Sequence, residues 1–213
     1  MSVLKEEIED YLSKLYKPPS KDLYLLRCES EKQGIPIILK DTESFLLNVI
    51  RSRHITEILE IGTAVGYSSS CFACISEKIR ITTVEKSEDM YSCAKDNITK
   101  LKLQNRIDVV NDDALLWLQK QNESARYDMV FIDGPKSHYL KLWKLSKPLV
   151  RSGGLIITDN VLFRGYVACR SNEDSKRYKT IIRKLREFIS FLNEDANSVI
   201  LPIGDGISIS YIE

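Results

Sequence analysis

The sequence predicts an α/β fold built on one mostly parallel sheet of seven strands, with an antiparallel hairpin at its C-terminal end and helices before its first strand. Three observations carry this expectation. From residue 56 onward, short apolar runs alternate with segments of helical periodicity, the pattern of a parallel sheet covered on both faces. The chain ends in two apolar runs joined by Gly204-Asp205-Gly206, which reads as a hairpin turn. The first 55 residues hold helical periodicity only.

Taken in order, residues 4–16 carry apolar side chains at helical spacing and stop at Pro18-Pro19, which cannot continue a helix. Residues 20–33 start with Ser20, a good helix cap, and stop at Gly34, a common terminator. Residues 41–53 read as a third helix capped by Asp41 or Thr42. Strands are expected at 57–61, 81–84, 107–110, 129–132 and 155–158, each of the first four followed by a helical segment. The first of those segments, 67–79, is a largely apolar stretch that reads as a helix facing the core. Residues 175–192 read as a long basic amphipathic helix, and 199–202 and 207–212 complete the seven strands. One domain over residues 1–213, with 1–55 as a helical extension, is the expected organisation.

The composition is 43% hydrophobic and 29% charged, that of an ordinary globular chain able to bury a core without disulfides or structural metal. The formal net charge is +1, so contact with a polyanion requires a local basic patch. No apolar run approaches the roughly 18 residues that span a bilayer. The opening MSVLKEEIEDYLSKLY has acids where a signal peptide has its apolar core, so a cytoplasmic location is expected. An odd count of five cysteines agrees with a reducing compartment. Cys71 and Cys74 form a C-x-x-C, but there is no second such pair and the chain has only two histidines. Buried structural thiols on an apolar helix are therefore expected rather than a metal or redox pair.

The first strand ends in Glu60-Ile61-Gly62-Thr63-Ala64-Val65-Gly66. Ligands of open α/β sheets bind beyond the carboxyl ends of the strands, and glycines there permit a tight turn and close backbone approach. The spacing is G-x-x-x-G, not the G-x-G-x-x-G that cradles a dinucleotide pyrophosphate, which argues against a nicotinamide dehydrogenase. Glu60 would repel a pyrophosphate but suits the cationic amino-acid end of S-adenosylmethionine. Glu85, at the end of the second strand, can accept both hydroxyls of a ribose. Asp113, after the third strand, is open to two readings, a contact to an adenine amino group or a plain helix N-cap.

The fourth and fifth strands run into Asp133-Gly134-Pro135-Lys136 and Thr158-Asp159-Asn160. Adjacent strand ends thus offer Asp133, Asp159 and Asn160 to one region, a hard oxygen set suited to Mg²⁺, although Asp159-Asn160 alone could also serve only as a turn. Lys136 lies close enough in sequence to act as general base or to stabilise an oxyanion. Methyl transfer from a sulfonium donor mainly requires that the acceptor be deprotonated, held and oriented.

At these residues the chain resembles the metal-dependent O-methyltransferases related to catechol and caffeoyl-CoA O-methyltransferases. The matching pieces are EIGTAVGYS, VEK, the acid pair before Ala114, FIDGPKSHY and TDN, over roughly residues 35–213. The resemblance implies a Rossmann-like methyltransferase fold. It implies cofactor contacts from Ile38, Glu60, Gly62, Ser68, Glu85, Asp113, Ala114 and Asp133, and a metal held by Asp133, Asp159 and Asn160. Catalysis by Lys136 with Asp133, and a homodimer, are implied too. Where the family more often has Ala-Ala or Ala-Asp between the metal Asp and the Lys, this chain has Gly134-Pro135. The stretches DNVLFRGYVA and LPIGDGISIS are similar to the bacterial tRNA 5-hydroxyuridine methyltransferases, which make 5-methoxyuridine at the wobble position of the anticodon.

That acceptor suits the expected chemistry, because the 5-hydroxyl of 5-hydroxyuridine lies beside the 4-carbonyl oxygen and the two can chelate one ion as a catechol does. A small catechol-like acceptor is the alternative, and the motifs alone do not separate the two. A non-catalytic protein that keeps the cofactor cleft is disfavoured by the complete metal set. Charge is the discriminator available in sequence. Lys136, Lys141, Lys144, Lys147 and Arg151 occur without an intervening acid, and Arg164, Lys176, Arg177, Arg183 and Lys184 follow in a mainly basic stretch. These cations either contact the phosphates of a tRNA anticodon loop or form a solvated helix face.

Overall fold

The computed structural model describes residues 6–122, 124, 126–168, 177–194 and 197–213. Three helices come first, α1 (Glu6–Leu15), α2 (Lys21–Lys32) and α3 (Lys40–Ser52). Then β1 (Glu57–Ile61), α4 (Tyr67–Ala73), β2 (Arg80–Glu85), α5 (Glu88–Lys100), β3 (Ile107–Asn111), α6 (Ala114–Gln119) and β4 (Tyr127–Ile132) alternate. After a 3₁₀ turn (Lys136–His138) come α7 (Tyr139–Ser146), β5 (Val150–Thr158), α8 (Lys179–Asn193), β6 (Ser198–Leu201) and β7 (Ile207–Tyr211).

The seven strands form one sheet in the order β3-β2-β1-β4-β5-β7-β6. β1 to β5 pair in parallel, whereas β7 runs antiparallel to β5 and to β6. The central strands read as continuous apolar runs because both faces are covered. In β4, Met129 and Phe131 join a cluster containing Leu46, Phe72 and Ile98, while Val130 and Ile132 join one containing Leu142, Trp143 and Phe188. The period-2 pleat sends alternate side chains of one strand to opposite layers.

Several sequence-based boundaries move, each for a local reason. The helix expected over 67–79 stops at Ala73, where the Arg106 guanidinium takes the carbonyls of Ala73 and Ser76 out of the helical ladder. Of the two thiols expected to be buried there, Cys71 is buried and Cys74 is exposed. Asp41 does not cap α3; Leu39 holds the N-cap position without a side-chain bond. The Asp41 carboxylate instead accepts from Thr42 N and from Gly204 N, 2.8 Å away in the β6–β7 turn. β5 starts five residues before Leu155, because a register shift against β4 absorbs Gly153 and Gly154. Residues 175 and 176 of the basic helix lie outside the described residues, and the described helix starts at Lys179. Among the described residues no helix is long and apolar enough to cross a membrane.

Candidate active site

The hydrogen-bond ladder of the sheet continues one residue past the ends of its strands, and this aligns the acids. Asp133 N donates to Ile61 O (2.9 Å), Asp159 N to Ile132 O (3.0 Å) and Asp112 N to Glu85 O (3.1 Å). Gly62 has φ +100°, and a Cβ built on it would stand 2.1 Å from the Asp133 carbonyl oxygen. Only glycine lets the ends of β1 and β4 approach this closely.

Above these ends lies a cleft with two lobes that share Gly62, Glu85, Asp133 and Gly134. The smaller lobe, about 250 Å³, has an apolar lining of Ile61, Val84, Ala114, Leu115 and Leu142, with Asp113 and His138 at its polar margin. The larger, about 530 Å³, runs from Ile38 and its neighbours on one wall to Lys136, Asp159, Asn160, Phe163, Arg164 and Asp205 on the other.

Glu85 lines both lobes. Its carboxylate accepts from Ala64 N (2.9 Å) and Ser87 N (2.8 Å), one on each oxygen, so each oxygen keeps a lone pair for a ligand hydroxyl. Asp113 is the N-cap of α6, accepting from Leu115 N and Leu116 N on one oxygen, and its other oxygen pairs with Lys86 at 3.0 Å. It therefore caps a helix and borders the smaller lobe at once.

Glu60 and Ser68, expected to meet the cofactor, do not line either lobe. The Glu60 side chain is fully buried beneath the glycine turn, where Ser68 Oγ and Thr83 Oγ1 donate to its two oxygens. Thr63 in turn donates to Thr83 Oγ1 at 2.6 Å. Burial pushes the Glu60 carboxyl up to about 7, against the hydrogen bonds from Ser68 and Thr83, which lower it. As pH rises from 4.5 to 7 the unfolded chain releases this proton before the folded one does, so the cofactor-free fold loses stability across that window. Replacing Glu60 with Gln is expected to remove this slope and to make the variant the more stable chain at pH 8, by about 3 kcal/mol at most. Urea unfolding at pH 5 and pH 8 reads the difference; equal slopes for both chains would disprove it.

The catalytic end is crowded with charge. Asp159 is almost wholly buried, and burial together with Asp133 raises its carboxyl well above the usual range. Burial raises Asp133 as well, opposed by Lys136. Asn160 sits at φ +55°, and its Oδ1 accepts from Lys136 Nζ at 2.9 Å. Pro135 precedes the 3₁₀ turn at φ −68°, and Lys136 still reaches the cleft from that turn. Two buried acids, both raised by burial and one also by the other, form beside an amide oxygen a hard donor set that a divalent cation would relieve. Among the described residues no group of three His, Cys, Asp or Glu is arranged to hold a metal; the set here is two acids and one amide.

Asp205, read in sequence only as part of a turn, is buried at the cleft and accepts a short hydrogen bond from Arg164 N. Its neighbours Gly204 and Gly206 marked only a turn, and no local pattern showed that this turn reaches the cleft. Phe163 was also missed; it lines the larger lobe at φ +45° and meets Tyr166 and Tyr178 edge-on at 5.7 and 5.2 Å.

The basic residues do not form one patch. Lys136 and Arg164 line the cleft, but Arg151 pairs with Asp128 (2.7 Å) at the opposite end of the sheet, because α7 returns the chain there. Arg183 and Lys184 share Glu187 on α8, and Arg177 lies over the Tyr178 ring. Lys176 is outside the described residues.

A sheet with five parallel strands and an antiparallel β7–β6 edge, bearing its cleft at the carboxyl ends, is the Rossmann-like methyltransferase fold. The chain belongs to the O-methyltransferase family, whose model matches residues 23–211. It is similar to caffeoyl-CoA O-methyltransferase 3 of Nicotiana tabacum, with 32% identity over 177 residues, covering 78% of this chain and 71% of that one. Caffeoyl-CoA O-methyltransferase 2 of Petunia hybrida is 31% identical over 180 residues, covering 79% and 73%. A Staphylococcus aureus structure, assigned provisionally as a caffeoyl-CoA O-methyltransferase, superposes with a TM-score of 0.87 at 31% identity over 98% of this chain and all of that one. The Podospora anserina methyltransferase PaMTH1, solved with S-adenosylhomocysteine, shares the fold at a TM-score of 0.85 and 23% identity, over 99% and 97% of the chains.

Proposed function

We propose that the chain is an S-adenosylmethionine- and divalent-metal-dependent O-methyltransferase that converts 5-hydroxyuridine at the tRNA wobble position to 5-methoxyuridine. The observation that carries the reading is the convergence of Asp133, Asp159, Asn160 and Lys136 on the lobe that adjoins the Glu85 cofactor lobe. In this reading the smaller lobe takes the adenine and Glu85 the ribose hydroxyls, with Ile38, Gly62 and Asp133 around the remainder of the cofactor. The acceptor oxygen attacks the sulfonium methyl carbon, the carbon–sulfur bond breaks, and the cofactor leaves as a thioether.

Asp133, Asp159 and Asn160 would hold a cation such as Mg²⁺, which when bound supplies positive charge that favours the deprotonated acceptor. Lys136 takes up the acceptor proton or pairs with the oxyanion. Phe163 and Arg164, from the DNVLFRG stretch at the cleft, support a planar acceptor attached to a polyanion. A cytoplasmic location goes with this substrate. Homodimerisation is part of the proposal, through the exposed apolar face of α1 formed by Ile8, Tyr11, Leu12 and Leu15. Sedimentation giving only monomer would dismiss the dimer without touching the chemistry.

The names of the curated relatives favour a second reading, methylation of a small phenol of the caffeoyl or catechol type. The deciding experiment incubates the enzyme with Mg²⁺, labelled cofactor and either hydroxylated tRNA or catechol-type phenols. Label in 5-methoxyuridine by nucleoside mass spectrometry supports the tRNA reading. Efficient turnover of the phenol with none in tRNA replaces it by the second.

A further inference from the structure

One buried ion pair sits at the edge of the larger lobe, which Arg27 and Glu31 help to line. Arg27 of α2 is 2% exposed, and Glu43 of α3 is fully buried, with Nη2 donating to Oε2 at 2.7 Å. The same Nη2 donates to the carbonyl of Ile38 (2.9 Å), Nε to the hydroxyl of Tyr67 (3.0 Å) and Nη1 to Glu31 (3.0 Å). Tyr67 donates to Glu43 Oε2 at 2.7 Å, and Tyr16, just past α1, donates to Oε1 at 2.8 Å. The guanidinium also faces the Tyr67 and Tyr16 rings at 4.7 and 5.4 Å.

These contacts join three parts of the chain. Residues 35–39 are a non-helical stretch between α2 and α3 and form one wall of the larger lobe. Tyr67 is the first residue of α4, immediately after the glycine turn that forms the floor. Tyr16 fixes the end of α1. A buried pair of charges is a weak source of stability compared with apolar packing, since desolvation offsets its attraction. What it supplies here is direction. A planar fork with donors on three nitrogens can hold a carbonyl, a phenol and a carboxylate at set angles, which neither lysine nor an apolar side chain can do.

We propose that Arg27 is a positioning residue for the cofactor. With Glu43 and Tyr67 as its counterparts, it holds the 35–39 wall at a set distance from the glycine turn, so that the cleft is formed before the cofactor arrives. The inference rests on the reading of this cleft as a S-adenosylmethionine site.

The test is calorimetric titration of S-adenosylhomocysteine and steady-state kinetics on the full chain and three variants. Arg27→Gln is expected to weaken S-adenosylhomocysteine binding at least ten-fold and to raise the cofactor KM by a similar factor. Its kcat at saturating cofactor and its acceptor KM should stay within about two-fold. Arg27→Lys keeps the charge but not the fork, and it is expected not to restore affinity. Tyr67→Phe removes one hydroxyl and is expected to weaken binding about three-fold; should Arg27→Gln fail to fold, this milder variant carries the same test. Full cofactor affinity in folded Arg27→Gln, or in Tyr67→Phe where that variant carries the test, overturns the inference, as does restoration by Arg27→Lys. If the unsubstituted chain itself fails to bind S-adenosylhomocysteine, the cofactor reading falls and takes this inference with it.

Discussion

Asp159→Ala is expected to lower kcat roughly a thousand-fold, about 4 kcal/mol of barrier, while leaving the fold as stable as before or more so. The two effects have one origin. Asp159 is buried beside a second acid, Asp133, and burial and that neighbour both raise its carboxyl. Removing it relieves burial of an acid beside another acid, and the cation-free chain gives up in return the bond from Asn160 N at 2.7 Å and the attraction of Lys136. The proposed function requires what stability does not, namely both acids presented to one ion. Scanning calorimetry should therefore show a melting temperature that is unchanged or raised in the variant. Added Mg²⁺ should raise it for the unsubstituted chain and not for the variant. Metal-stimulated turnover that survives in Asp159→Ala would sink the assignment of this residue.

Gly62→Ala carries the second large effect, of the opposite kind. Its Cβ would stand 2.1 Å from the Asp133 oxygen and 2.9 Å from its carbon, both backbone atoms, at a φ of +100° that L side chains rarely adopt. Backbone strain and overlap each cost about 1–3 kcal/mol, so a loss of about 3 kcal/mol or more is expected in urea unfolding. The ends of β1 and β4 must part to admit the methyl group. Because both cleft lobes share Gly62 and Asp133, S-adenosylhomocysteine affinity should fall at least a hundred-fold. Gly34→Ala is the control. That glycine also has positive φ, at +70°, but a Cβ there meets nothing within 4 Å. About 1 kcal/mol of backbone strain and no loss of affinity are expected. Equal destabilisation by the two substitutions would show that conformational strain, not the close approach, limits position 62.

How much of this was legible before folding depended on whether the signal was local. The strands were readable because a strand buried on both faces is mostly apolar: 129–132 is wholly so, and 57–61 keeps Ile58, Leu59 and Ile61 around its acids. The site acids were readable because they follow strand ends directly, and in a parallel sheet strand ends lie side by side. Glu60 is the exception in its placement. It also sits beside the glycine turn, yet the pleat turns its carboxylate inward, onto Ser68 and Thr83. The basic run from Lys136 to Arg151 looked like one patch because sequence does not show that α7 carries the chain from one end of the sheet to the other.

The sequence by itself determined the alternation of strands and helices, the glycine at 62, and the order in which Glu85, Asp133, Asp159 and Asn160 occur, because each answers to its immediate neighbours along the chain. Tertiary structure alone decided which side chains face the cleft and which support it. It sent Glu60 beneath the turn, Asp205 into the cleft from the far hairpin, and Arg27 between Ile38 and Tyr67. Those contacts join residues 8 to 41 positions apart, and only the closing of the sheet and its helical layers brings them within hydrogen-bonding distance.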